Sequence, residues 1–123
     1  MAKTILLVDD DQDTLDILQV YLEHEGYSSV VAHDGQEAIK RVNEFDLDLI
    51  ILDLMLPIVG GFQVYRHIRA ESQVPIVILT ARVDEESQRA SVEMGVNDYI
   101  TKPFSPKEVV SRVNSILEDN NTT

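Results

Sequence analysis

The stretch Leu49-Ile50-Ile51-Leu52-Asp53 joins four large aliphatic side chains to one acidic residue at its end. Two other runs have the same character, Ile5–Val8 and Ile76–Leu79. A strand made only of apolar residues is buried on both faces, as in a parallel sheet covered by helices on each side. These runs therefore predict central strands, and the shorter, less apolar runs Ser29–Ala32 and Tyr99–Thr101 predict edge strands.

Segments with helical spacing alternate with these strands. Leu15, Leu18 and Leu22 predict a first helix that ends at Gly26, since glycine readily takes a positive φ. Apolar residues at similar spacing mark the other four helices: Ala38, Ile39 and Val42; Val64, Tyr65 and Ile68; Ala90 and Met94 before Gly95; and Val109, Val110, Val113, Ile116 and Leu117 after Ser105-Pro106. Strands and helices in strict alternation predict an α/β fold with helices on both faces of a parallel sheet.

The length and composition predict a single domain. With 123 residues, 44% of them hydrophobic, the chain can fill one core but is too short for two. We expect the domain over residues 1–119 and a polar tail at 120–123 that frays. The chain has no cysteine, which excludes disulfides and thiolate metal sites. Its apolar runs fall far short of the roughly 20 residues that span a bilayer, and no leader pattern appears, so we expect a soluble, cytoplasmic protein without a membrane partner.

The charge balance is strongly acidic. There are 22 acidic and 10 basic residues, which give a formal charge of -12. Such a surface repels a phosphate backbone, which argues against direct nucleic-acid binding by this domain. A cation, or a basic face on a partner protein, is the more natural ligand.

Reactive side chains follow the predicted strands at their carboxyl ends, where open parallel sheets bind ligands. They are Asp9, Asp10 and Asp11 after the first strand, Asp53 after the third, Thr80 after the fourth and Lys102 after the fifth. Taken singly, each has an ordinary structural explanation: a solvated turn, a strand-end cap, a β-branched strand residue or a surface lysine. Their common location favours one functional pocket, although we assign Asp11 mainly to capping the first helix.

The residue types in this pocket suit phosphoryl chemistry. Carboxylates about 4 Å apart repel by roughly 1 kcal/mol in water and several times more at a protein surface. Mg²⁺ offsets such repulsion and can orient a phosphoryl donor toward a carboxylate nucleophile. Lys102 can pair with Asp53 before transfer and with a phosphate oxygen after it, and Thr80 can donate a hydrogen bond to another oxygen.

Five motifs together resemble the receiver domain of two-component response regulators, and the resemblance covers essentially the whole chain. They are Leu7–Asp11, Leu52–Pro57, Gly61-Phe62, Leu79–Arg82 and Asp98–Phe104. The resemblance implies a flavodoxin-like doubly wound sheet of five strands in the order 2-1-3-4-5. It also implies that Asp53 accepts a phosphoryl group from a histidine kinase or a histidine phosphotransfer protein. Such a domain is not an enzyme toward other molecules, because it catalyses only its own phosphorylation and dephosphorylation.

The resemblance further assigns roles by position. Asp10, Asp53 and the Met55 carbonyl are expected to bind Mg²⁺ directly, and Asp9 through water. Tyr99 is expected to rotate from an exposed to a buried position together with Thr80, which shifts the face made by the fourth helix, fifth strand and fifth helix. A phosphorylation-dependent homodimer is a further expected partner. The Lys102-Pro103 bond is expected to be cis.

Some positions depart from the family pattern. Met55 and Arg82 resemble the winged-helix transcription-factor class, whereas Gln88 and Asn97 replace charged residues of that class's dimer face. Gly60 replaces an acidic residue and removes a side-chain cap from the third helix, at a cost of only a few tenths of a kcal/mol. The three histidines, His24, His33 and His67, share no predicted face and are expected on the surface.

Two other protein classes remain alternatives on the residues alone. An aspartate-nucleophile phosphohydrolase also uses carboxylates and Mg²⁺ at strand ends, but its nucleophile follows the first strand in a pair of aspartates separated by one residue. A flavodoxin-like cofactor binder needs a hydroxyl-rich or glycine-rich loop after the first strand. Here three aspartates stand in that place and would repel a flavin phosphate.

Overall fold

The computed structural model describes residues 2–121, with side chains described up to residue 118. One sheet of five parallel strands has the order β2-β1-β3-β4-β5. The strands are β1 (Thr4–Val8), β2 (Ser28–Ala32), β3 (Leu49–Leu52), β4 (Ile76–Thr80) and β5 (Asp98–Thr101). The helices are α1 (Gln12–His24), α2 (Gly35–Glu44), α3 (Gly61–Arg69), α4 (Glu85–Met94) and α5 (Pro106–Asn121). The expected doubly wound architecture and strand order are confirmed.

Two hydrophobic cores lie on opposite faces of the sheet. Successive residues of β3 alternate between them: Leu49 and Ile51 pack in the core that includes α1 and α5, whereas Ile50 and Leu52 pack in the core that includes α2 and α3. All four side chains are buried. The uninterrupted aliphatic run therefore has the cause inferred from the sequence, which is that both sides of the strand are covered.

Helix ends also follow the sequence signals. Asp11 caps α1, since its carboxylate accepts hydrogen bonds from the Asp13 backbone N–H at 3.1 Å and from the Thr14 hydroxyl at 2.9 Å. Gly26 follows α1 with φ of 93°, and Gly95 ends α4 with φ of 82°. Asp11 therefore marks where α1 begins, and the two glycines mark where α1 and α4 end.

Two local expectations need correction, one about the fourth helix and one about the tail. The fourth helix is confirmed, but its buried residues are Ser87 and Ser91, whereas Ala90 and Met94 are only half-buried. Helix α5 continues to Asn121, so residues 120 and 121 of the expected tail are helical. Residues 122 and 123 lie outside the described part of the chain, so the fraying of the tail stays a prediction.

The expectation that the histidines lie on the surface is confirmed. The three histidines are exposed. Within the described residues, no helix is both long and apolar enough to cross a membrane.

Candidate functional site

The register of the sheet brings together the aspartates that directly follow β1 and β3. Val8 pairs with Leu52, and the Asp53 backbone N–H donates to the Val8 carbonyl at 3.0 Å. Asp9, the next residue along the chain, is 3% exposed and Asp53 is 4% exposed. Two carboxylates are therefore removed from water at adjacent strand ends, which requires compensating partners.

A third carboxylate completes an acidic cluster. Oxygens of Asp9, Asp10 and Asp53 all lie within 4.8 Å of one another, and Asp10 is exposed. At this separation each pair repels by about 4 kcal/mol at an effective dielectric constant near 20. Burial raises the pKa of Asp9 above its usual value, although hydrogen bonds from Lys102 and the Asp11 backbone oppose the shift. An oxygen-only donor set of this kind fits a hard divalent cation such as Mg²⁺.

Lys102 neutralises part of this cluster. Its Nζ lies 2.7 Å from Asp9 Oδ2 and 3.1 Å from Asp53 Oδ2. Burial alone would lower the pKa of Lys102, but the hydrogen bond and charge of Asp9 and the charge of Asp53 outweigh it and raise the pKa. The sequence predicted the pairing with Asp53 but not the shorter contact with Asp9, which joins residues 93 positions apart.

The local chain path directs Lys102 toward the cluster. The Lys102 backbone N–H donates to the Thr80 carbonyl at 2.8 Å, so β5 remains beside β4 up to this residue. The Lys102-Pro103 peptide is cis, as expected.

Each buried aspartate also accepts a hydrogen bond from the backbone two residues further on. Asp9 Oδ1 accepts from the Asp11 N–H, and Asp53 Oδ1 accepts from the Met55 N–H, both at 2.9 Å. One oxygen of each carboxylate is thus held by the main chain, and the other faces Lys102. This arrangement orients both carboxylates before any ligand arrives. The expected role of the Met55 carbonyl as a metal ligand stays a prediction.

Thr80 and Tyr99 both form hydrogen bonds with the backbone of one residue, Arg82. The fully buried Thr80 accepts a hydrogen bond at Oγ1 from the Arg82 N–H at 3.2 Å, and the Tyr99 hydroxyl donates to the Arg82 carbonyl at 2.6 Å. The Tyr99 ring is half-buried and packs against the core that includes α2 and α3. Sequence reasoning selected both side chains but did not identify the Arg82 backbone as the group that they share.

Glycines bring the loop after Asp53 close to the site. A Cβ on Gly61 would lie 2.4 Å from Leu54 Cα and 2.6 Å from the Asp53 carbonyl oxygen. A Cβ on Gly35 would lie 2.3 Å from the Val59 carbonyl oxygen, so the start of α2 packs directly on this loop. Neither contact was predicted from the sequence, because no local pattern reveals which backbone a glycine approaches.

Gly60 is the N-cap residue of α3 and has no capping side chain, as expected. The Gly60 N–H donates to Gln63 Oε1 at 3.2 Å, which satisfies one backbone group at the helix start.

This fold and this arrangement of aspartates, lysine and threonine define a class of signalling domain, and comparison with known proteins agrees. The model of the response regulator receiver domain matches residues 5–114. The chain belongs to this family and is the receiver domain of a two-component response regulator, a signal-transduction switch. Neither the phosphohydrolase nor the flavin-binding alternative is supported.

Individual relatives place the chain more closely. It is 46% identical over 120 residues to the DNA-binding response regulator MtrA of Mycobacterium tuberculosis, a match that covers 98% of this chain and 53% of that protein. It is 44% identical over 118 residues to the alkaline phosphatase synthesis transcriptional regulatory protein PhoP of Bacillus subtilis, covering 95% of this chain and 49% of that one. The chain thus spans about half the length of the curated relatives it matches.

Solved structures show the same architecture. A two-component response regulator from Clostridium difficile superposes with a TM-score of 0.94 at 30% identity, covering 98% of this chain and 99% of that one. DrrB, an OmpR/PhoB homologue from Thermotoga maritima, superposes with a TM-score of 0.88 at 30% identity, covering 98% of this chain and 54% of that one.

Proposed function

We propose that the chain is a phosphoryl-accepting switch in which Asp53 receives its phosphoryl group from a phosphohistidine donor in the presence of Mg²⁺. The observation that carries this proposal is the surroundings of Asp53. Its buried carboxylate is held by the Met55 N–H and by the Lys102 ammonium, beside two further carboxylates. A nucleophile held in one orientation loses less entropy on reaching the transition state.

Asp10, Asp53 and the Met55 carbonyl would bind Mg²⁺ directly, and Asp9 through water. Bound there, the ion would supply positive charge to the acidic cluster and to the incoming phosphoryl oxygens. The clustering of Asp9, Asp10 and Asp53 oxygens supports this assignment.

In the transfer step, a carboxylate oxygen of Asp53 attacks phosphorus and forms a new P–O bond. The P–N bond of the phosphohistidine breaks, and its electron pair remains on the imidazole nitrogen. Lys102 then moves its hydrogen bond from Asp53 to a phosphoryl oxygen, and this movement keeps the new negative charge paired.

Thr80 carries the change away from the site. As the acceptor of the Arg82 N–H, its hydroxyl keeps its own proton for donation to a phosphoryl oxygen. Movement of Thr80 toward the phosphoryl group weakens its contact with Arg82 and lets Tyr99 take its buried position. The face of α4, β5 and α5 has two pre-existing arrangements, and the free-energy difference between them then shifts by about 1 to 3 kcal/mol.

The partners follow from this chemistry. The donor is a histidine kinase or a histidine phosphotransfer protein of the cytoplasm, and the face of α4, β5 and α5 forms a homodimer when Asp53 is phosphorylated. The acidic surface of the domain suits protein partners and not DNA. Its catalysis is confined to its own phosphorylation and dephosphorylation.

The test is phosphorylation by acetyl phosphate with Mg²⁺, followed by intact-mass measurement. The unmodified chain should gain one phosphoryl group, and Asp53→Asn, which keeps the shape but removes the nucleophilic charge, should gain none. Asp46→Asn is the matched control, because Asp46 is an exposed aspartate in the loop before β3, at the opposite end of the sheet. A stoichiometric, base-labile adduct on Asp53→Asn would disprove the assignment.

A further inference from the structure

Two tyrosine hydroxyls hold backbone carbonyls at opposite ends of α4. Tyr99 donates to the carbonyl of Arg82, which precedes the helix, and Tyr65 donates to the carbonyl of Met94, its last residue, each at 2.6 Å. The same kind of bond is therefore present at both ends, but its surroundings differ.

The surroundings of Tyr65 are rigid. Its side chain is 2% exposed, and the Arg69 guanidinium lies 5.2 Å from the ring centroid. Arg69 is itself fixed, because its Nη1 donates to the Ser72 carbonyl at 3.2 Å and to the Val74 carbonyl at 2.6 Å. A ring enclosed in this way cannot change rotamer unless the core opens around it.

The bond from Tyr65 also meets a requirement of the helix. The last four carbonyls of a helix lack partners within it, and Met94 supplies one of them. Gly95 ends the helix in the left-handed region. The Asn97 N–H then donates to the Ile76 carbonyl at 2.8 Å, and the Ile76 N–H donates to Asn97 Oδ1 at 2.9 Å. The carboxyl end of α4 is thus tied to both α3 and β4.

The amino end of α4 is held differently. Asp84 caps it through a local bond from the Ser87 N–H at 2.9 Å, and residues 82 to 86 are exposed. Within the described residues, the hydrogen bonds that join this end to β4 and β5 are formed by the Arg82 backbone. Its N–H donates to Thr80, and its carbonyl accepts from Tyr99. These are the two side chains that move in the proposed switch.

We infer that α4 pivots about its carboxyl end, with Tyr65 as the positioning residue that keeps Met94 in place while the Arg82 backbone moves. This inference rests on the proposed function and deepens it, because it states which end of the helix is displaced. The output face would then change most beside the β4–α4 loop and least beside Gly95.

Hydrogen exchange tests the anchor without any phosphoryl mimic. Tyr65→Phe keeps the ring and removes one hydroxyl, so amide exchange over residues 92–96 should accelerate roughly two- to tenfold, as expected from the loss of one hydrogen bond. Exchange over residues 85–88 should be unchanged. Tyr21→Phe, on α1, is the matched control and should alter neither segment. Equal exchange in Tyr65→Phe and the unmodified chain would overturn the anchoring role.

Distance measurements test the pivot itself. The chain has no cysteine, so pairs of spin labels can be placed at introduced cysteines without competing native thiols. One label at Lys40→Cys on α2 serves as the reference, and a second is placed at Glu86→Cys or at Glu93→Cys, all at exposed positions. With Mg²⁺ and beryllofluoride, the distance to position 86 should shift and the distance to position 93 should not. When Tyr65→Phe is added, the distance to position 93 should shift as well.

The outcomes separate the two proposals. If the mimic displaces both labels equally in the presence of Tyr65, the pivot is wrong although the switch stands. If the Met55 amide resonance does not respond to the mimic, the proposed function fails, and the exchange comparison still decides whether Tyr65 anchors α4.

Discussion

Replacing Gly61 by alanine should damage the site through the backbone alone. The added Cβ would lie 2.4 Å from Leu54 Cα and 2.6 Å from the Asp53 carbonyl oxygen, and both atoms belong to main chain that cannot rotate away. Forcing an extra carbon into a packed place typically costs about 1 to 3 kcal/mol. Because Leu54 lies between Asp53 and Met55, relief of the clash should also move the Met55 N–H away from the Asp53 carboxylate.

The matched control for this variant is the neighbouring glycine. A Cβ on Gly60 would meet nothing within 4 Å, so Gly60→Ala should change the free energy of unfolding by less than about 1 kcal/mol. Urea unfolding measures both variants, and Mg²⁺ titration followed at the Met55 amide measures the site. We expect Gly61→Ala to lose stability and Mg²⁺ affinity together. If Gly61→Ala behaves like Gly60→Ala in both assays, the close packing inferred for this loop is wrong.

Three further predictions address other parts of the switch. Asp10→Ala should abolish Mg²⁺-dependent phosphorylation and leave the fold intact, because Asp10 is exposed and contributes charge but little packing. Normal phosphorylation of this variant at low Mg²⁺ would show that the site is misassigned. Thr80→Ala should bind Mg²⁺ nearly as well as the unmodified chain, but its beryllofluoride-induced NMR shifts at Tyr99 and across residues 87–94 should be smaller. Undiminished shifts would show that Thr80 does not transmit the change to α4. Burial and the charge of Asp84 raise the pKa of Tyr99 in the folded protein, so its phenol ionises more readily when the chain is unfolded, and its contribution to stability is lost as the pH rises through that raised pKa. Above about pH 10, where a tyrosine of the unfolded chain ionises, urea midpoints should therefore fall less steeply for Tyr99→Phe. Parallel curves for the two proteins would contradict the shift.

The sheet was predictable because its central strands carry an uninterrupted signal. Leu49 to Leu52 are buried on both faces, and no amphipathic pattern competes with that interpretation. The candidate site followed from the same strands, since parallel strands bring Asp9 and Asp53 to one edge whatever the loops do. Asp11 was predictable as a cap because its role depends on residues only two and three positions away.

The features that the sequence did not reveal depend on contacts between distant residues. Lys102 reaches Asp9 as well as Asp53, and Gly35 packs on Val59, yet no local pattern links either pair. The inner residues of α4 are Ser87 and Ser91, and serines at these positions resemble a solvated face in any scale of hydrophobicity. The bond from Tyr65 to Met94 requires the three-dimensional position of a helix end, which periodicity cannot supply.

The pairing of one lysine with clustered aspartates has an electrical consequence. Three carboxylates against one ammonium give the pocket two net negative charges, so a bound divalent cation brings it to neutrality. In the proposed function, conversion of the Asp53 carboxylate to an acyl phosphate then adds roughly one negative charge. In the proposed switch, the signal is therefore an uncompensated charge created in a previously balanced, partly dehydrated pocket. The groups that would respond to it are the hydrogen-bond donors at its border, Thr80 and Lys102.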